Sequence, residues 1–231
     1  MENTEKKVKK KPKRSGTRAY RIIYAILSGI VGRILNITVV NKNNEPDESG
    51  YIVCANHSSG ADPVALCYSF RKNQVFFMAK KELFKIPLFA QLIRVLGAFP
   101  VDRSVSDVGA VKKAVSLVKD KKCMGIFPQG HRYKGENPRD TKTKNGMALI
   151  ATRTGADIVP CFIWRKGNRS RLFRKTYVII GEKIPFESLD YDPDANGEYA
   201  RITDIVFDKI CKIGEDFTAE LEAKKQAKAK K

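Results

Sequence analysis

Beyond Pro46 the chain alternates between short apolar runs and longer stretches with helical spacing. The runs YIVCA (51–55), QVFFMA (74–79), GAFPV (97–101), CMGIFP (123–128), DIVPCFIW (157–164) and TYVIIGEKI (176–184) predict strands. Between them, 106–120 places Val108, Val111, Val115 and Val118 three or four residues apart, with Ser106 or Asp107 available as a cap, and predicts a helix. A second helix is predicted over 143–155, ending on Gly155 as the residue that closes it. A third, terminal helix is predicted from 197 to about 225, with Ile202, Ile205, Phe207, Ile210 and Ile213 as its apolar stripe. Strands alternating with helices predict an α/β layer structure, with helices flanking a mixed or mostly parallel sheet.

The amino-terminal stretch AYRIIYAILSGIVGRILNITVV (19–40) is apolar but different in kind. Its charge-free run from Ile22 to Gly32 is eleven residues long and stops at Arg33. A spanning helix needs about 20 apolar residues, so the stretch predicts an amphipathic helix lying in a membrane interface. No A-x-A-like cleavage site follows it, which disfavours a secretory signal. A buried amphipathic helix of a soluble domain is the competing reading. The organisation expected is therefore a basic disordered arm (1–18), a membrane-associated helix (19–40), one catalytic-sized domain (41–222) and a Lys-rich tail (223–231).

The chain has 231 residues, 42% of them hydrophobic, which suits a single domain with a substantial core. Its formal net charge is +19. The ends contribute, with seven Lys/Arg against two Glu in 1–14 and five Lys against two Glu in 219–231, yet the body remains strongly basic. An anionic partner is implied, and nucleic acid and anionic membrane are the usual candidates. The five cysteines are widely spaced without a CxxC pair, and read as buried thiols of a reducing compartment. With two histidines in the chain, a multi-His metal site is not expected.

One of those histidines stands in NHSSGADP (56–63), directly after the predicted strand 51–55. In an open α/β sheet, ligands gather beyond the carboxyl ends of the strands, so His57 would stand in that crevice. Small residues permit a tight loop that folds Asp62 back beside the imidazole. A carboxylate on one ring nitrogen fixes the tautomer and steadies the imidazolium formed when the other nitrogen takes a proton. The pair would then activate a substrate hydroxyl, with Cys54, Ser58 and Ser59 as neighbours in sequence but no evident nucleophile. The plain alternative is that Asp62 only caps the helix beginning at Pro63, and that His57 is a loop residue. The other predicted strand ends carry cations: Lys80 and Lys81, Arg103, and Arg132 in FPQGHR (127–132). Arg and Lys suit phosphate oxygens, which predicts a base beside a phosphate receptor.

These residues together resemble a glycerolipid acyltransferase of the 1-acylglycerol-3-phosphate acyltransferase family, whose defining motif NHxxxxD is matched by Asn56, His57 and Asp62. The resemblance continues through 79–103, FPQGHR and IVPCFI (158–163). It implies that His57 is the general base on the sn-2 hydroxyl of a lysophosphatidate and that Asp62 orients it. It implies that Lys80, Arg103, Gln129, Gly130 and Arg132 belong to the substrate-binding pocket, with Val159 and Pro160 shaping it. It also implies a membrane-bound enzyme that needs no bound cofactor or metal, and that takes its acyl group from acyl-CoA or acyl-carrier protein. The family's third motif is usually FPEGTR. Here Gln129 replaces the glutamate, keeping a carbonyl acceptor without the charge, and His131 replaces the threonine and reads as a surface residue.

Two other readings compete. The same chemistry can serve another lysophospholipid or lipid hydroxyl, since pocket shape sets the acceptor. A module of another class, basic and nucleic-acid-binding or membrane-binding without catalysis, draws support from RKGNRSRLFRK (165–175), which holds six Lys/Arg and no acid. No helix-turn-helix, RNP or KH pattern accompanies it, so nucleic acid is not the expected partner. The expected partners are an anionic membrane surface, lysophosphatidate, an acyl thioester and, given the basic face, an acidic acyl-carrier protein. The excess of Lys/Arg at both ends favours the cytoplasmic face of the membrane.

Overall fold

The computed structural model describes residues 16–102, 104–105 and 107–229. Most of the basic arm expected over 1–18, Arg103, and the last two residues of the tail lie outside the described residues.

The first helix, α1 (Arg18–Ile34), is capped by Thr17, whose hydroxyl accepts from the Tyr20 N–H at 3.2 Å. The expected helix over 19–40 stops short. Asn36 adopts φ +43°, a left-handed conformation that Asn tolerates, and its carbonyl accepts from Thr176 N–H at 3.1 Å. The last residues of the stretch become strand β1 (Ile37–Val40), whose β-branched side chains suit a sheet edge. The remaining elements are β2 (Ile52–Ala55), α2 (Asp62–Ser69), β3 (Val75–Lys80), α3 (Pro87–Val95), β4 (Ala98–Val101), α4 (Val108–Lys119), β5 (Cys123–Ile126), α5 (Gly146–Thr154), β6 (Ile158–Arg165), β7 (Thr176–Ile180) and α6 (Glu198–Ala229). Of these, α3 had no counterpart in the periodicity reading. Gly155 closes α5 in the left-handed conformation, as expected.

The seven strands form one sheet in the order β1-β7-β6-β2-β5-β3-β4. Every neighbouring pair is parallel except β6–β7, an antiparallel hairpin, so the sheet is mixed and mostly parallel. Helices cover both faces, which explains why the central strands read as continuous apolar runs instead of alternating ones. In β2, Ile52 and Cys54 enter the core shared with α4, α5 and α6, while Val53 and Ala55 enter the core shared with α2.

Helix α1 packs on α2, where Tyr24 Oη donates to the Tyr68 carbonyl at 3.0 Å. Gly32 makes the approach possible: a Cβ there would lie 2.8 Å from the Tyr68 ring. Gly125 serves the same purpose inside the sheet, since a Cβ on it would stand 2.0 Å from Phe77 Cε1. Because β2, β3, β5 and β6 are mutually parallel along the chain of pairings, the loops that leave β2, β3 and β5 emerge at one end of the sheet.

Gly125→Ala is expected to destabilise the protein by about 1–3 kcal/mol through overpacking against Phe77, measured by urea unfolding. Gly29→Ala, at a helical position with nothing within 4 Å of the added carbon, is the control and should be neutral or stabilising by about 0.5–1 kcal/mol.

Candidate active site

Strand β2 delivers Asn56 and His57 to the carboxyl end of the sheet. Asn56 acts as a surrogate strand residue: its Oδ1 accepts from the Ile163 N–H at 2.7 Å and its Nδ2 donates to the Ile163 carbonyl at 3.2 Å, locking the loop to β6. His57 is nearly buried, and its ring lies flat on Phe127, with centroids 4.1 Å apart and planes within 14°. Phe127 in turn stacks on Phe77, which occupies the space left by Gly125. The backbone of His57 is fixed on both sides: its N–H donates to Gln129 Oε1 at 2.5 Å and its carbonyl accepts from the Tyr133 N–H at 2.9 Å.

The His57–Asp62 pairing expected from the motif is present. Nδ1 of His57 lies 2.8 Å from Asp62 Oδ2. The same oxygen accepts the N–H groups of Ser58 at 2.7 Å and Ser59 at 2.8 Å. Asp62 is therefore not a helix cap. Ala61 occupies the cap position, Asp62 sits in the first turn of α2 and turns its carboxylate back into the loop. The side chain is 0% exposed. Burial is the largest influence on its carboxyl and raises its pKa, but the His57 hydrogen bond and the Arg165 guanidinium together hold it below the ordinary value. An ionised Asp62 requires Nδ1 to carry its hydrogen, leaving the Nε2 lone pair as the acceptor.

Arg165 was not among the residues singled out individually; its basic segment was read as a loop suited to nucleic acid or to anionic lipid headgroups. Its Nη1 pairs with Asp62 Oδ1, its Nε donates to Thr176 Oγ1 at 3.2 Å, and the residue is 3% exposed. The strand period would have found it. Val159, Cys161 and Ile163 point into the α2-side core, and one further step of two reaches Arg165 on the same face. Val159, which the resemblance placed in the pocket wall, is one of those core residues, and Pro160 is likewise buried within β6.

A cavity of about 400 Å³ opens beside His57, between α1, α2, α3 and β3. Its walls are mostly apolar, including Leu27 and Val31 of α1, Val64 of α2, and Phe89 and Leu92 of α3. Lys80, at the end of β3, and Arg132 also line it, so the structure brings both predicted cations to the cavity that His57 lines. Lys81 is diverted into an ion pair with Asp102. Gly130 adopts φ +71° in a turn closed by its N–H on the Phe127 carbonyl at 2.9 Å. That turn sends Arg132 to the cavity and keeps Gln129 inside.

Gln129 is 1% exposed, and its Nε2 donates to Thr141 Oγ1 at 2.7 Å, so it braces the His57 loop from behind and does not face the cavity as expected. Arg103 lies outside the described residues. His131 is exposed against Tyr133, as expected of a surface residue. Cys54 lies in the opposite core, where burial pushes its thiol up, and the Ser58 and Ser59 hydroxyls bond to Arg165 and to the Ala61 N–H. None of the three is paired with His57 as a nucleophile.

The fold and the site define an α/β protein with a histidine–carboxylate pair at the strand ends, aimed at an apolar cavity with a cationic rim. A family model described as Acyltransferase matches residues 36–164. The chain is 31% identical over 168 residues to the 1-acyl-sn-glycerol-3-phosphate acyltransferase of Bacillus subtilis, covering 72% of this chain and 79% of that protein. It is 33% identical over 147 residues to the enzyme of the same name from Streptococcus pneumoniae, covering 61% of this chain and 53% of that longer protein. The crystal structure of the 1-acyl-sn-glycerophosphate (LPA) acyltransferase PlsC from Thermotoga maritima superposes with a TM-score of 0.62 at 23% identity, covering 88% of this chain and 84% of that one, and shares the fold. The chain belongs to the acyltransferase family.

Arg165→Met removes the partner of a fully buried carboxylate and is expected to cost about 3–5 kcal/mol in unfolding at neutral pH. Adding Asp62→Asn should restore part of that loss, since the uncompensated charge is then gone; a double-mutant cycle reads the coupling. Because the Asp62 carboxyl is held below its ordinary value, the stability its ionised form contributes is present above about pH 4. It should fade as pH falls through the folded-state value, and the acid limb of the unfolding profile should flatten in the double variant.

Proposed function

We propose that the chain transfers a fatty acyl group from an acyl thioester to the sn-2 hydroxyl of 1-acylglycerol-3-phosphate, giving phosphatidic acid. The observation that carries this reading is a single arrangement: His57, held through Nδ1 by buried Asp62, lines an apolar cavity that Lys80 and Arg132 also line. An acyl chain needs the apolar wall, and a phosphomonoester needs the cations. The names of the relatives support acyl transfer and the same acceptor.

Nε2 of His57 takes the proton of the acceptor hydroxyl as its oxygen attacks the thioester carbonyl carbon. Asp62 stabilises the imidazolium without taking its proton. The tetrahedral intermediate collapses by breaking the C–S bond, and the sulfur leaves with the proton returned from His57, so that ester and free thiol are the products. A thiolate is a good leaving group, so one base suffices. Arg165 and Gln129 act on the geometry of His57 and touch no reacting atom. The donor is acyl-CoA or acyl-carrier protein, and the basic surface suits either acidic carrier.

The lipid substrates lie in a membrane, and the surface around the cavity fits that source. Ile22, Ile26 and Ile30 project outward from α1 at every fourth position, and Leu83, Ile86 and Leu88 are exposed across the cavity before and within α3. No helix among the described residues is long and apolar enough to cross a membrane. The site therefore works at an interface, with α1 lying in the headgroup region of an anionic cytoplasmic leaflet.

The test is an acyl-transfer assay on purified protein with lysophosphatidate and other lysolipids. Wild type should form phosphatidate, and His57→Ala should lose at least about 10³-fold in kcat with its unfolding curve intact. Retention of more than a few per cent of activity (~3%) would remove the general base. Arg132→Ala should raise KM for lysophosphatidate about ten-fold or more and leave kcat less affected, as loss of a charge-assisted contact to the phosphate requires. Equal turnover of a lysolipid without a phosphomonoester would overturn the acceptor assignment.

A further inference from the structure

The basic segment 166–175, between β6 and β7, has no role in the proposed reaction, and its geometry is specific. At its tip Leu172 is 65% exposed and Phe173 is 69% exposed, flanked directly by Arg171 and Arg174, with Arg169 and Lys175 next. Two large apolar side chains held this far into solvent, ringed by cations and with no acid between 158 and 181, form a small apolar patch in a positive field.

The tip is an ordered projection. The Phe173 N–H donates to the Ile34 carbonyl at 2.7 Å, and Asn36 Nδ2 donates to the Phe173 carbonyl at 3.3 Å, so the tip is fastened to the last turn of α1 and the residues after it. At its base, Asn168 Nδ2 donates to the Glu136 carbonyl at 2.7 Å and the Asn168 carbonyl accepts from Gly135 N–H at 3.2 Å. Phe173 itself is held at φ +61°, a left-handed conformation costly for a bulky side chain. The strained residue is the one whose phenyl ring stands most exposed at the tip.

We infer that residues 169–175 form a second membrane anchor, in which Leu172 and Phe173 insert among the acyl chains of an anionic leaflet while Arg171 and Arg174 bind its phosphates. The inference rests on the interfacial reading of α1 and extends it. The outward isoleucines of α1 are followed by exposed Arg33 and then by the loop clamped to Ile34, so the helix and the loop tip form one apolar line edged by cations. A second point of insertion beyond the end of α1 would lengthen the line held at the surface and limit how far that end of the helix can lift out of it. Because the loop is already ordered, insertion costs little further entropy. RNA, the other polyanion that suits a basic loop with one aromatic, leaves Leu172 and the α1 isoleucines without a partner.

The experiment is sedimentation of the full chain with vesicles of phosphatidylcholine alone, or with a third phosphatidylglycerol, at low and physiological salt. Leu172→Asn with Phe173→Asn removes the apolar tip while tolerating the left-handed backbone. Arg171→Gln with Arg174→Gln removes the charge, and Ile22→Ser, Ile26→Ser and Ile30→Ser together test α1; thermal melts confirm that each variant folds. The inference expects the tip variant to bind both vesicles roughly ten-fold more weakly. It expects the charge variant to lose the preference for phosphatidylglycerol.

If both loop variants bind as wild type while the α1 variant does not, the loop anchor is overturned and the interfacial reading of α1 stands. If wild type binds neither vesicle, the interfacial reading falls and the anchor with it. If wild type carries salt-removable nucleic acid that the charge variant loses, with vesicle binding unchanged, the loop is a nucleic-acid surface and the anchor is overturned.

Discussion

The site depends on the buried carboxylate of Asp62. Taking such a charge out of water costs several kcal/mol unless donors surround it, and here four converge on its two oxygens. His57 and the N–H groups of Ser58 and Ser59 meet one oxygen, and Arg165 meets the other. Asp62 also lies in the first turn of α2, where the helix dipole favours negative charge. Three of these donors belong to the loop 57–59 itself, and the fourth, Arg165, is brought in by the sheet order, because β6 is the neighbour of β2. The orientation of one imidazole is thereby tied to the correct assembly of the central sheet.

The same economy of placement governs the cavity. One turn after another, α1 gives Leu27 and Val31 to the cavity wall, Tyr24 to α2, and Ile22, Ile26 and Ile30 to the outside. The apolar arc of α1 is broad enough to be divided between two neighbours, while Arg18 and Arg21 stay exposed. In the proposed function its two faces have two apolar neighbours, an acyl chain within and the leaflet without. In that reading Lys80 and Arg132 stand where these environments meet the headgroup layer.

Much of the fold was legible in the sequence because a strand covered on both faces must be apolar throughout, and β2, β5 and β6 read as unbroken runs. The end of α1 was not legible in the same way. ILNITVV continues the apolar character of the helix, and only the left-handed turn at Asn36 separates helix from strand. His57, Asp62, Lys80 and Arg132 could be found from strand ends and loop chemistry. Arg165 was hidden by its company: five further cations follow it within 166–175, and only its phase along β6 distinguishes it. Gln129 was assigned to the cavity because it shares a motif with Arg132. The left-handed Gly130 between them separates inside from outside, a reversal that spacing alone does not reveal.

The replacement of the family's usual glutamate by Gln129 follows from hydrogen-bond supply. Thr141 lies beside the amide, and its hydroxyl already donates to the Pro138 carbonyl at 2.6 Å. Its oxygen therefore offers only lone pairs to residue 129, which must donate. Glutamine satisfies both ends, accepting from the His57 N–H with its carbonyl and donating to Thr141 with its amide. An ionised glutamate in the same buried place would accept from His57 but set its second oxygen against the Thr141 lone pairs, unless Thr141 gave up Pro138. With no cation among its hydrogen-bond partners, the charge would remain uncompensated in a nearly waterless position. The neutral amide thus holds the His57 backbone without bringing in a second buried charge, and the negative charge of the loop stays on Asp62, where Arg165 balances it and the imidazole meets it.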